Sequence, residues 1–288
     1  MGPSERAAEM NRLSRLLEKH FPRTSKWLKR LSEDMLLPKV TLDEIKADWN
    51  DVKQAFKNEF VGSDENWKYR EECYMALEKT INGMIGKLGL PKSKETFDKI
   101  LPELETGTEA LNNLGRIYLE LVKSKNLSES GRYYSMCFMY LLFVEGVYDE
   151  NIRVLYTFRK ATDGVSIDYE AIKDRSIRSF ESELDPVFFE GYNDRIRNAI
   201  AHAKFNYDDA SKLMSFRDRA NRFQPEYSKS LSLKEFVTQC YSKLDDFCSL
   251  VIFYTILLGA RDFVFAPRPL GKVTLKDTKA AREQGLGP

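Results

Sequence analysis

The segment Arg132–Lys160 constrains the fold of this chain more than any other stretch. Met136, Phe138, Met139, Leu141, Leu142, Phe143, Val144, Val147 and Tyr148 crowd into it with little polar relief. A helix that is apolar nearly all round has no face to give to water, so it is expected to be buried among other helices. Glu145 stands alone inside this run, and by itself it reads as a partly exposed or hydrogen-bonded polar residue. A second apolar run, Phe247–Ala260, is interrupted by Ser249 and Thr255. It falls short of the roughly 20 residues needed to span a bilayer. It is therefore expected to be a buried or interface helix.

The rest of the composition suits a globular protein. The chain has 288 residues, of which 42% are hydrophobic, enough for a substantial core and about two domains. Forty-five basic residues nearly cancel 44 acidic ones, for a net charge of +1. That balance argues against a strongly basic coat for gripping duplex DNA and leaves room only for a local basic patch. With 15 Gly and 10 Pro, the chain is not a collagen-like or low-complexity sequence.

The four cysteines, Cys73, Cys137, Cys240 and Cys248, form no Cys-x-x-Cys pair, and the only histidines are His20 and His202. Tight sets of four nitrogen and sulfur ligands are what structural zinc needs, and the sequence also shows no Gly-rich phosphate loop and no carboxylate cluster with metal spacing, so no metal and no cofactor is expected. Each cysteine lies in an apolar or amphipathic stretch and reads as a buried reduced thiol, which fits a reducing compartment. Met1–Lys19 is charged and lacks the apolar segment of a secretion signal. A soluble, cytoplasmic protein with no membrane association is expected.

Helical spacing of apolar residues dominates the chain, so the expected fold class is all-α. Leu13, Leu16, Leu17, Trp27, Leu28 and Leu31 follow that spacing. Thr41 with Glu44 makes a capping box and predicts a helix start. Further helices are expected over Glu65–Leu88, Ser93–Leu101, Thr106–Lys123 and Asp168–Glu183. Asp185-Pro186 predicts another start, with helix continuing through Tyr192, Ile196 and Ile200. Beyond His202, Lys204–Tyr207 and Lys212–Arg217 flank Asp208-Asp209 and read as a short β-hairpin. A polar loop with Pro225 follows. Ser232 with Glu235 is a second capping box and opens the last long helix. The polar stretch Lys123–Gly131 is the expected domain boundary. This divides the chain into a helical N-terminal domain of unassigned role (1–125), a second helical domain (126–265) and a disordered tail (266–288).

Chemistry concentrates in Asn193–His202. Asn198 and His202 are four apart and share a helical face, and Arg197 adjoins Asn198. Arg195, seven residues before His202, also falls on that face and competes with Arg197 as the working arginine. A guanidinium, an amide and an imidazole together suit metal-free cleavage of RNA. Histidine titrates near neutral pH and can move protons at the 2′-hydroxyl and the leaving 5′-oxygen. Arginine's planar fork suits the charge that builds on the phosphorane oxygens. One histidine does not readily serve as acid and base at once, so a two-fold dimer bringing two such helices to one cleft is expected.

The run Arg197-Asn198-Ala-Ile-Ala-His202 resembles the Arg-polar-x-x-x-His signature of HEPN domains, the higher eukaryote and prokaryote nucleotide-binding superfamily. The resemblance covers about residues 130–265. Arg132–Lys160 takes the place of the long packing helix, Ser232–Ala260 that of the closing helix, and a hairpin after the histidine occurs in some of these families. The resemblance implies a HEPN-like helical bundle and a metal-independent endoribonuclease acting as a homodimer with a composite site. Arg197 would then bind the scissile phosphate, Asn198 would support it, and His202 would be the general acid/base. Many such proteins are toxins or phage-defence effectors, which implies an antitoxin or activator protein as a further partner. Lys204 and Arg217 are candidate contacts to an RNA backbone, and Tyr207 is a candidate for stacking on a base.

A second class of function stays open at this level. The chain also fits a non-catalytic helical module for dimerisation, partner binding or sensing, with Arg197 a surface residue paired to Asp194 and His202 a helix C-terminal cation.

Overall fold

The computed structural model describes residues 11–12, 14–15, 17–18, 20–34, 42–124, 126–165, 170–172, 175–218 and 226–265. The protein is mostly helical, with one small three-stranded antiparallel sheet. Its helices include α1 (Pro22–Asp34), α2 (Leu42–Val61), α3 (Trp67–Leu88), α4 (Leu90–Lys123), α5 (Glu129–Phe143), α6 (Asp149–Thr162), α7 (Asp194–Ala201), α8 (Leu233–Phe236) and α9 (Ser242–Phe265). The strands are β1 (Phe205–Asp208), β2 (Leu213–Asp218) and β3 (Tyr227–Ser232). Among the described residues, no helix is long and apolar enough to cross a membrane.

The chain divides into two units, Met1–Phe56 with Leu257–Pro288, and Lys57–Ile256. Within the first, Leu17, Leu28, Leu31, Trp49, Val52 and Phe56 are buried, and the Phe21 and Phe56 rings lie 4.7 Å apart. Ser14 and Ser25 are also buried there, and each hydroxyl donates to the other's carbonyl. Thr41 and the tail after residue 265 lie outside the described residues, and with them the first capping box and the expected disordered tail.

The second unit is built on the apolar run Arg132–Lys160. α5 and α6 form one continuous helical path through a π turn at Val144–Tyr148. α3 packs along α6, and α4 packs against α5. Tyr133, Tyr140 and Tyr148 are fully buried, and each hydroxyl reaches backbone elsewhere in the chain. Tyr133 donates to the Leu231 carbonyl at 2.8 Å, Tyr140 to that of Gly191 at 3.4 Å, and Tyr148 to that of Phe188 at 3.0 Å. Phe236 of α8 is the hub between this helix and the sheet, with the rings of Tyr133, Tyr140 and Phe216 5.4–5.7 Å away. The four cysteines are buried and unpaired.

The sheet runs β1-β2-β3. Its register pairs Tyr207 with Met214 and Met214 with Leu231, so these three buried residues share the inner face. Asn206, Ser215 and Ser230 take the opposite, polar face, as strand alternation requires.

Four elements differ from the sequence expectation. The segments Ser93–Leu101 and Thr106–Lys123 belong to one helix, α4, which continues through Pro102. Within Asp168–Glu183, the described residues form two 3₁₀ turns, Glu170–Ile172 and Ile177–Phe180. The helix expected to run on from Pro186 is a 3₁₀ turn, Pro186–Phe189, and α7 starts afresh at Asp194. Asp185 still caps its turn, accepting from Val187 N at 3.1 Å. Finally, Tyr227–Ser232 of the polar loop is a third strand, so the fold carries a small sheet instead of a lone hairpin. The Ser232–Glu235 capping box forms as expected, with reciprocal hydrogen bonds at 3.3 and 2.8 Å.

Arg70 ties the end of α2 to α9 within this unit. It donates to the Val61 carbonyl at 2.9 Å, to Asp64 at 2.5 Å and to Asp246 at 3.5 Å. Burial pushes the Asp246 carboxyl up to about 7, opposed by the Arg70 guanidinium and reinforced by Asp245. An unfolded aspartate titrates near about 3.9, so the folded state keeps a proton that the unfolded chain has already lost. This carboxyl therefore adds stability that is fully present below about pH 4 and is lost as the pH rises toward its folded value. Asp246→Asn is expected to flatten that part of the pH dependence, measured as urea midpoints between acidic and neutral pH. Parallel wild-type and variant profiles would contradict it.

Candidate active site

α7 is short, and its placement comes from both ends. The Asn193 side chain caps it, accepting from Arg195 N at 3.1 Å and Ile196 N at 3.0 Å. Such caps contribute about 1 kcal/mol. The Asn193 backbone N–H donates to the Tyr140 hydroxyl at 3.0 Å, which fixes the helix start to the buried α5. Ile196, Ala199 and Ile200 form the buried face, at the i, i+3, i+4 spacing of one helical stripe.

The far end is a Schellman turn. Lys204 N donates to the Ala199 carbonyl at 2.7 Å, and Ala203 N to that of Ile200 at 3.1 Å. Ala203 takes the left-handed position, with φ of 52°, that glycine usually fills at such a turn. His202 is the last residue before it, and its N–H donates to the Asn198 carbonyl at 3.0 Å. The turn halts the helix directly after the histidine and sends the chain into β1.

The buried stripe leaves Arg197, Asn198, Ala201 and His202 toward solvent. Arg197 donates to Asn198 Oδ1 at 2.9 Å and to Glu145 Oε1 at 2.5 Å. Because Asn198 spends its oxygen on Arg197, its NH₂ group is the end free to donate to a ligand. The two side chains of the Arg197–Glu145 pair are 35% and 49% exposed. An ion pair this open contributes roughly 0–1 kcal/mol, so its main effect is to orient the guanidinium. The His202 imidazole is exposed and makes no hydrogen bond to another described residue. The arrangement thus offers an oriented cation, an amide donor and an accessible imidazole on one helix.

Other candidates fall elsewhere. Arg195 turns toward the sheet and pairs with Asp218, a buried carboxylate, at 3.2 Å, which leaves Arg197 as the arginine on the open face. Tyr207 is buried on the inner face, 6.0 Å from the Tyr133 ring, and does not present its ring for stacking on a base. Lys204 and Arg217 are exposed and line a cleft on the outer face of the sheet. Asp194 pairs with Arg178 at 3.4 Å, and Arg197 goes to Glu145 instead.

Glu145 and Asn193 are not singled out by the sequence as parts of the site. Glu145 carries one signal, a lone acid inside an apolar helix, but its partner lies 52 residues away and no local spacing links them. It sits in the π turn of the long helix. Such turns are often found where helices carry functional groups.

Gly191 sets the approach to α7. A Cβ placed there would lie 2.8 Å from Leu244 N and 3.0 Å from the Cys240 carbonyl, both backbone atoms. The helix is broken here because the loop must pass this close to the start of α9. Gly191→Ala is expected to lower stability by about 1–3 kcal/mol through overpacking. Chemical denaturation checks this, and an unchanged midpoint would contradict so close a passage. Comparison with protein-family models, with curated proteins and with solved structures finds no match to the chain.

Proposed function

We propose that the protein is a metal-independent endoribonuclease of HEPN type that works as a homodimer. The observation that carries this reading is the solvent-facing set Arg197, Asn198 and His202 on α7, with Arg197 oriented by Glu145 and His202 left accessible. In this reading the 2′-hydroxyl of the RNA attacks the adjacent phosphorus. One His202 takes the 2′-proton, and a second His202, from the other copy, gives a proton to the departing 5′-oxygen. The products are a 2′,3′-cyclic phosphate and a 5′-hydroxyl. Arg197 and the Asn198 NH₂ group stabilise the charge on the phosphorane oxygens.

A second copy is also supported by the surface beside the motif. Phe138 and Leu142 lie one turn apart on α5 and are 53% and 57% exposed. Phe138 packs edge-on against Phe205 at 6.0 Å, and one turn beyond Leu142 comes Gly146, with open space around its Cβ position. This apolar strip leads to Glu145 and so to Arg197. Two copies joined through it about a two-fold axis would bring both α7 faces to one cleft. In cells, the reading corresponds to a toxin or phage-defence effector held in check by an antitoxin or switched on by an activator.

The test is cleavage of RNA by purified protein in EDTA. Wild type is expected to cleave, and His202→Ala to lose at least about 100-fold in rate, as removal of a general acid/base does. Cleavage that persists in the variant would assign the activity to another site. No cleavage by either protein, with no toxicity on expression, would favour the non-catalytic helical module. Phe138→Glu is expected to convert a dimer to a monomer by light scattering and to abolish cleavage with it. A monomeric wild type that still cleaves would contradict the composite site.

A further inference from the structure

The strongest unassigned feature is a cleft of about 480 Å³ on the outer face of the sheet, lined by Ala203, Lys204, Phe205, Asn206, Ser215, Arg217 and Glu226. It begins one residue past His202. Lys204 and Arg217 meet across its floor, because Arg217 N–H donates to the Lys204 carbonyl at 2.9 Å. Both side chains are exposed, and neither makes an ion pair or side-chain hydrogen bond to a described residue. Two other cations of this region are held in ion pairs, Arg195 by Asp218 and Lys212 by Glu129 and Asp209. Glu226 is the single acid among the described residues of the lining, so the cleft carries a net positive charge. Asn206 and Ser215, paired across β1 and β2, add a neutral amide and a hydroxyl to the same floor.

We infer that this cleft holds the phosphodiester backbone of a single-stranded RNA next to the bond being cleaved. The inference rests on the ribonuclease reading of α7 and extends it to substrate binding. Two exposed cations, with no ion pair among the described residues, above a floor of amide and hydroxyl groups match successive phosphates and riboses, which ask for charge and donors. The position fits as well. Two peptide steps separate His202 from Lys204, so their Cα atoms are at most about 7.6 Å apart. A strand whose scissile phosphate lies at His202 therefore continues into the cleft. The chain's balanced charge agrees with this, since affinity for RNA is then set by a few accessible cations at one place.

The experiment measures binding of an oligoribonucleotide carrying 2′-O-methyl groups, which blocks attack by the 2′-oxygen, so that intact protein can be used. Lys204→Ala/Arg217→Ala is compared with Lys79→Ala/Arg116→Ala, a double variant of equal charge change at exposed positions on α3 and α4. The cleft variant is expected to bind on the order of tenfold more weakly, with a salt slope smaller by about 1.4, or about 0.7 for each phosphate that is no longer neutralised. The control variant is expected to match wild type. Equal losses in both variants, or in neither, would overturn the inference, as would a wild type that does not bind the oligonucleotide. Cleavage of a dinucleoside monophosphate, which has only the scissile phosphate, separates the two readings. The cleft variant is expected to retain it, and its loss would move Lys204 and Arg217 into the reacting centre. If wild type cleaves nothing while the binding loss remains, the ribonuclease reading falls and the RNA-binding cleft stands.

Discussion

Three buried phenols on one helical path decide where the rest of the second unit goes. Tyr133, Tyr140 and Tyr148 cannot leave their hydroxyls unpaired in an apolar core without a cost of about 1–3 kcal/mol each. Each satisfies that need with backbone far along the chain, at Leu231, Gly191 and Phe188. The first holds the end of β3 and the entry to α8. The other two hold the irregular stretch that leads into α7. Tyr133 and Tyr140 are seven apart, two helical turns, whereas Tyr140 and Tyr148 are eight apart with the π turn between them. The extra residue of that turn absorbs the difference and keeps Tyr148 directed at the same loop as Tyr140. It also places Glu145 where Arg197 can reach it. One local change in helix winding thus serves both the core and the motif.

Much of this was legible in the chain, and the failures have a common cause. The central helix, α3, the first two strands and the Ser232–Glu235 cap all announce themselves through local patterns of spacing and polarity. The π turns at Val144–Tyr148 and Val237–Tyr241 do not, because a hydrogen bond shifted by one residue leaves no mark in composition. The break between Pro186–Phe189 and α7 arises from the tight passage of Gly191 over the start of α9, between segments about 50 residues apart. β3 was hidden in a polar loop because its outer face is serine-rich and mainly Leu231 points to the core. At the site, the sharing of one face by Asn198 and His202 was readable from helical spacing. The choice between Arg195 and Arg197 was not, since it depends on Asp218 and Glu145, one on a strand and one on a distant helix.

The proposed reading also says how a chain with nearly balanced charge would address a polyanion. Three cations in and around the sheet and α7 are engaged: Arg195 is held against a buried acid, Lys212 against two exposed ones, and Arg197 against Glu145. Beside them stand accessible groups, His202 on α7 and Lys204 with Arg217 in the adjoining cleft. The open Arg197–Glu145 pair is weak enough for a phosphate to compete for the guanidinium. Pre-orientation of the fork is then its contribution, more than stability.

The ends of a cleaved RNA test the central claim most directly. Attack by the 2′-oxygen under His202 leaves a 2′,3′-cyclic phosphate and a 5′-hydroxyl, which mass spectrometry distinguishes from every product of water attack. The account predicts those ends on RNA cut by the purified protein. Fragments bearing a 5′-phosphate and a 3′-hydroxyl would contradict it and require a different catalytic centre.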